Sequence, residues 1–122
     1  MYLVAIQALV FNEEPLRNEP GFETSSDDSI NSYSDVIKFS NFKISVIDQI
    51  NNNLGNFEDF RVIINDYFKS NIETYDKLIN KLCSNKNKEI QTPAYGMVVY
   101  LDYKNLLKYY ETFKTKILEN LN

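Results

Sequence analysis

The sequence predicts a mainly α chain with little or no sheet. Apolar side chains recur at three-, four- and seven-residue intervals between Ser32 and Leu82, and again between Leu106 and Leu121. Polar breaks at 51–55, 70–71 and 84–88 separate segments of helical length, and only Met97-Val98-Val99-Tyr100-Leu101 has strand character.

Leu3, Val4, Ile6, Leu9, Val10 and Phe11 point in nearly every direction around a helix, with Gln7 the one strongly polar member. A helix apolar all round needs cover all round. No Ser, Thr, Asp or Asn precedes it to cap its free N–H groups. Two readings stand: the fraying start of a buried helix, or a chain whose Met1 falls partway through a domain.

Residues 12–32 hold Pro15, Pro20, Gly21 and the polar cluster Thr24-Ser25-Ser26-Asp27-Asp28-Ser29, and read as a loop with a mobile, solvated Ser/Asp stretch. A long helix is expected from Ser32 to Asn52, with Tyr33, Ile37, Ile44, Ile47 and Ile50 inward. A second starts near Asn56, an N-cap residue type, with Glu58 and Asp59 in its first turn and Phe57, Phe60, Ile64, Tyr67 and Phe68 buried. A third follows Ser70 or Asn71, with Ile72, Tyr75, Leu78, Ile79 and Leu82 along one face. Met97–Leu101 is either a short strand with no visible partner or the entry to a helix. Leu106, Leu107, Tyr110, Phe113, Ile117 and Leu121 trace the last helix.

The chain has 122 residues, 43% of them hydrophobic, which is one domain's worth with room for an appended element. Seventeen carboxylates against 13 cations give no electrostatic case for nucleic acid or for an anionic membrane. The longest apolar run is far short of the ~20 residues that span a bilayer. Together with the single Cys83 and the absence of a secretory leader pattern, this points to an intracellular chain, cytoplasmic or nuclear.

No histidine is present, which removes the commonest general base, the Ser-His and Cys-His pairs and the usual zinc set. Glu13, Glu14, Glu19 and Glu23 share a loop without a partner base, and Asp27-Asp28-Ser29 lacks the alternating ligands of a calcium loop. Cys83 sits late in an amphipathic helix with no cationic cluster to generate a thiolate, and reads as inert. No residue is assigned to catalysis or metal binding, and no cofactor is expected. Nine Tyr and eight Phe at helical spacing read as core.

A resemblance adds to this reading. Ala5-Ile6-Gln7-Ala8-Leu9 resembles the "SIQSL" helix that follows the catalytic cysteine of ubiquitin-conjugating enzymes. Glu14-Pro15 with Asn18-Glu19-Pro20-Gly21-Phe22-Glu23 resembles the "EPYYNEPGYE" loop of the large multidomain subgroup of that family. Ser32-Tyr33-Ser34 is similar to the subgroup's "SxxYN" helix entry, and Phe57–Phe68 to its "FxxxIxxHF" helix, with Tyr67 where histidine is usual. Order, spacing and type agree over residues 3–82; beyond Leu82 no counterpart is matched.

The resemblance implies the C-terminal helical half of a UBC-like α+β domain, without its antiparallel sheet, plus an extra C-terminal helix. The expected division is a partial UBC-like segment at residues 1–83 and a linker with amphipathic helix at 84–122. In the family a sheet, a His-Pro-Asn segment and the thioester cysteine precede this part, so the expectation is a truncated protein, inactive in ubiquitin transfer by itself. The alternative is a non-catalytic helical interaction module. By the resemblance, Asn18 and Glu19 fall in the loop that receives the substrate lysine, and Pro15, Pro20 and Gly21 shape it. Loop packing is the other role open to Glu19. Implied partners are ubiquitin-pathway proteins or an upstream half of the domain, with self-association through the apolar segment Leu3–Phe11. A further expectation is that Met97–Leu101 and the Leu106–Leu121 stripe form a lid in place of the sheet.

Overall fold

The computed structural model describes residues 12–51 and 55–119, and over these it is mainly helical. The expected helix at 3–11 and the last stripe residue, Leu121, lie outside the described residues. The chain divides into two units, Met1–Lys38 with Lys88–Leu101, and Phe39–Asn87 with Asp102–Asn122.

In the first unit, Pro15–Asn18 form a 3-10 turn and Asp27–Ser40 form helix α1, whose last two residues belong to the second unit. The helix starts five residues before the expected entry. Ser26 caps it, its Oγ accepting the Ser29 amide at 3.4 Å, and Asp27 and Asp28 fill the first turn, where the helix dipole favours carboxylates. The Ser/Asp stretch read as loop is therefore in part a helix start. Leu16, Ile30, Tyr33 and Ala94 form the core, with Phe22 packed against it.

Strands β1, Lys88–Gln91, and β2, Val98–Leu101, pair antiparallel, Lys88 opposite Leu101 and Gln91 opposite Val98. Met97–Leu101 thus does have a partner strand. It went unseen because Lys-Glu-Ile-Gln offers one inward side chain, Ile90, and no alternating pattern. The hairpin is bound to α1 by the Lys88–Asp35 ion pair at 2.6 Å.

In the second unit the helix continues as a π-helical segment, Asn41–Asp48, and one α turn, Gln49–Asn51. Its wider turn places Phe42 and Ile47, five residues apart, on the buried side. Ile44, which a 3.6-residue period puts inside, is exposed instead, and so is Ile37 earlier in α1. A 3-10 turn, Gly55–Phe60, leads into α2, Arg61–Ser70, where the expected helix began at Asn56. Of the five expected core residues there, Phe68 is buried, while Phe57, Phe60 and Tyr67 are exposed. Asn71 breaks the chain between α2 and α3, Ile72–Cys83, its side-chain amide donating to the Tyr67 carbonyl at 2.8 Å. Ile79 is buried on α3 but Leu78 is exposed. Helix α4, Tyr103–Glu119, buries Leu106, Tyr110, Phe113 and Ile117 as its spacing predicts, and Tyr103 as well.

Phe68 is the centre of this unit. Its ring lies 4.9 Å from those of Tyr75 and Phe113 and 6.4 Å from Tyr110, and Tyr110 meets Phe42 edge-on at 5.6 Å. Burial pushes the Asp76 carboxyl up, but hydrogen bonds from Tyr110 and Lys114 outweigh it and hold it below the usual range. Phe68→Ala removes the shared partner of three rings and is expected to cost about 3–5 kcal/mol. Urea unfolding followed by circular dichroism measures it; a loss under about 1 kcal/mol, the scale of an exposed substitution, would show that the cluster does not hold the helices.

Candidate functional site

The loop between Asn12 and Ser26 carries the residues singled out by sequence, and a chain of backbone bonds shapes it. The Arg17 amide donates to the Glu14 carbonyl at 3.0 Å, Glu19 to Leu16 at 3.0 Å, Phe22 to Glu19 at 3.1 Å and Ser25 to Phe22 at 3.1 Å. Pro15 opens the 3-10 turn where a missing N–H is harmless. Leu16, wholly buried, points the turn into the core. Gly21 has a φ of 86°, a region that a side chain would strain, so glycine is favoured there.

Side chains then brace the loop. Arg17 bonds the Glu14 carboxylate at 2.5 Å and the Glu23 carbonyl at 2.7 Å. The Glu23 carboxylate accepts the Gly21 amide at 3.2 Å, and backbone N–H groups, its own and that of Gly21, lower its pKa. Ser34 of α1 donates to the Glu13 carbonyl at 3.0 Å.

Glu19 is where the loop, α1 and the hairpin meet. Its Oε1 accepts the Tyr33 hydroxyl at 3.4 Å and its Oε2 accepts the Tyr95 hydroxyl at 2.8 Å. The sequence brought Asn18 and Glu19 together with Pro15, Pro20 and Gly21; the structure adds Tyr33 and Tyr95. Asn18 and Pro20 are exposed on either side of the half-buried Glu19. Burial first, then the Glu19 charge, raises the Tyr33 phenol; the hydrogen bond to Glu19, then its charge, raises Tyr95.

Tyr95 was missed because its role depends on a turn 76 residues downstream of Glu19. It has a φ of 67°, the one positive value among the described non-glycine residues, and Gly96 follows at 60°. Thr92 holds this turn: its amide donates to the Met97 carbonyl at 2.8 Å, its Oγ1 donates to the Ala94 carbonyl at 2.5 Å, and the Met97 amide donates to that Oγ1 at 3.0 Å. A tyrosine in the left-handed region is strained by about 1 kcal/mol or more. The bond to Glu19 and the Thr92 clasp offset it.

Cys83 lies in the second unit, half-buried, and burial pushes its thiol up to about 11, against a smaller opposing pull from the Leu107 backbone. Among the described residues no group of three or more His, Cys, Asp or Glu side chains could hold a metal, and no helix is long and apolar enough to cross a membrane. No protein-family model and no curated protein matches the chain.

Tyr95 contributes its stability whole below about pH 10, the value of an unfolded tyrosine, and loses it as pH rises through its higher folded value. In an NMR titration of tyrosine ring carbons, Tyr95 is expected to deprotonate later than free tyrosine. Glu19→Gln is expected to bring it back toward the free value. An unmoved Tyr95 titration in that variant would sink the Glu19 bond.

Proposed function

We propose that this chain is a ubiquitin-conjugating-enzyme-like protein of the intracellular ubiquitin pathway, cytoplasmic or nuclear, that presents the family's acceptor-lysine loop without itself carrying the ubiquitin thioester. What supports the reading is the fixing of Glu19. Two phenols from different elements hold its carboxylate in one place, while Asn18 and Pro20 stay open to solvent beside it. A carboxylate held at a loop crest attracts a lysine ammonium and, at short range, can accept its proton. The same two bonds serve loop packing, so position and packing are one arrangement here.

Cys83, the chain's single thiol, is poorly suited to the thioester step. The thiolate is the attacking species, and burial pushes this thiol up to about 11 in a chain with no histidine to take its proton. The second reading, a non-catalytic helical interaction module, draws on the apolar side chains left exposed on the second unit.

Incubated with activating enzyme, ATP and ubiquitin, the chain is expected to form no reductant-sensitive ubiquitin adduct, and Cys83→Ser to behave identically. A reductant-sensitive adduct lost in Cys83→Ser would overturn the assignment. Isotope-labelled ubiquitin titrated with the chain then tests the pathway itself. Resonance shifts that weaken in Glu19→Ala are expected; a silent spectrum removes ubiquitin as a direct partner.

A further inference from the structure

The second unit carries an apolar row that its own core does not use. Phe57 and Phe60 lie three apart in a 3-10 turn, which has three residues per turn, so their side chains sit one above the other with ring centroids 6.4 Å apart. Ile63 and Tyr67 continue the row into α2 at the next three- and four-residue steps. These four are 65%, 53%, 65% and 64% exposed, whereas Phe68 on the other side of α2 is 1% exposed. A helix apolar on two sides is made to be covered on two sides. Single exposed apolar residues are ordinary; a row of four large ones, two of them neighbouring phenylalanine rings tilted at 44°, marks an interaction surface.

Charge narrows the occupant. Asp59 precedes Ile63 by four residues and Asp66 follows it by three, so both carboxylates edge the row. Both are exposed and neither forms an ion pair among the described residues. Arg61 is engaged with Glu58 and with the Ile50 carbonyl, and the next cation along the sequence, Lys69, is two residues beyond the end of the row. A second copy meeting this face across a two-fold axis brings the same two carboxylates against these. An anionic bilayer is repelled in the same way. The row is roughly 16 Å long, adding one 3-10 turn and two α turns, which is the reach of about three turns of a facing helix.

The geometry points to a docking site for a basic amphipathic helix: the row Phe57, Phe60, Ile63 and Tyr67 takes its apolar stripe, and Asp59 and Asp66 take flanking Lys or Arg. Helix-in-groove recognition of this kind reads apolar anchors at three- and four-residue steps, and charge at the rim sets partner choice.

The test is fluorescence anisotropy of the full chain with a labelled Leu/Lys peptide of roughly 18 residues, long enough to hold a helix, patterned for one apolar face. A scrambled peptide of the same composition is the control. The patterned peptide is expected to bind saturably and in preference to the scrambled one. I63D/Y67D is expected to raise Kd by about tenfold or more, as loss of central apolar anchors does. Leu78→Asp, at an exposed apolar position on α3, is expected to leave Kd unchanged. D59K/D66K, which alters only exposed charges, should weaken the basic peptide and turn preference to a Leu/Glu peptide; it carries the test alone if I63D/Y67D loses its circular dichroism. Equal binding of the scrambled peptide, or unchanged Kd in D59K/D66K, overturns the site. A chain that sediments as a dimer, and as a monomer in I63D/Y67D, assigns the row to a second copy and overturns the basic partner.

Discussion

The second unit depends on one ring. Phe68 is the only residue of α2 that is fully buried, and through it α2 meets α3 at Tyr75 and α4 at Tyr110 and Phe113. Aromatic pairs at 4.9–6.4 Å favour edge-on or tilted arrangements, which bring helices together at defined angles as well as burying area. Tyr110 links this cluster to Phe42, and hence to the π-helical segment. Its hydroxyl reaches the Asp76 carboxylate at 2.7 Å, and Lys114 completes that group at 3.0 Å. A buried phenol without such an acceptor would be destabilising. The polar network is therefore a condition of burying Tyr110.

The first unit solves a different problem, since a two-stranded hairpin is marginal by itself and a proline-rich loop has little apolar surface. Both lean on α1. The loop is anchored by Leu16 in the core and by Ser34 on the Glu13 carbonyl; the hairpin is anchored by Ala94 and by the Lys88–Asp35 pair. Glu19 then joins loop to hairpin through Tyr95. That one carboxylate serves two phenols explains why a strained backbone at Tyr95 persists: the turn is over-determined by its neighbours.

What was legible in the sequence follows from how far each signal reaches. Helix α4 was read correctly because its stripe, Leu106 to Ile117, is local and strictly periodic. Helix α1 began earlier than expected because Ser and Asp serve both loops and helix starts, and only the Ser26–Ser29 bond distinguishes them. Ile44 was placed inside by a 3.6-residue period that the π-helical segment does not obey. Strand β1 carried almost no pattern of its own, so its existence depended on a partner that had pattern. The loop around Glu19 is legible as a turn from Pro15, Pro20 and Gly21, but its bond to Tyr95 is not, because no local rule connects Glu19 with a residue 76 positions downstream.

The same limit explains the row Phe57–Tyr67. Sequence periodicity reports that a face is apolar; it does not report what covers it. The spacing of Phe57, Phe60 and Tyr67 predicts core positions, and that spacing is real. Phe68 is buried and Ile64 half-buried, while Phe57, Phe60 and Tyr67 stay open to solvent. An apolar face costs solvation free energy in the free protein, and the charges that edge it would be wasted on a core position. Regular spacing, exposure and flanking carboxylates agree if the face is built for a second molecule, and they conflict if it is a defect of packing. The same periodicity that marks a core marks an interface, and burial separates the two.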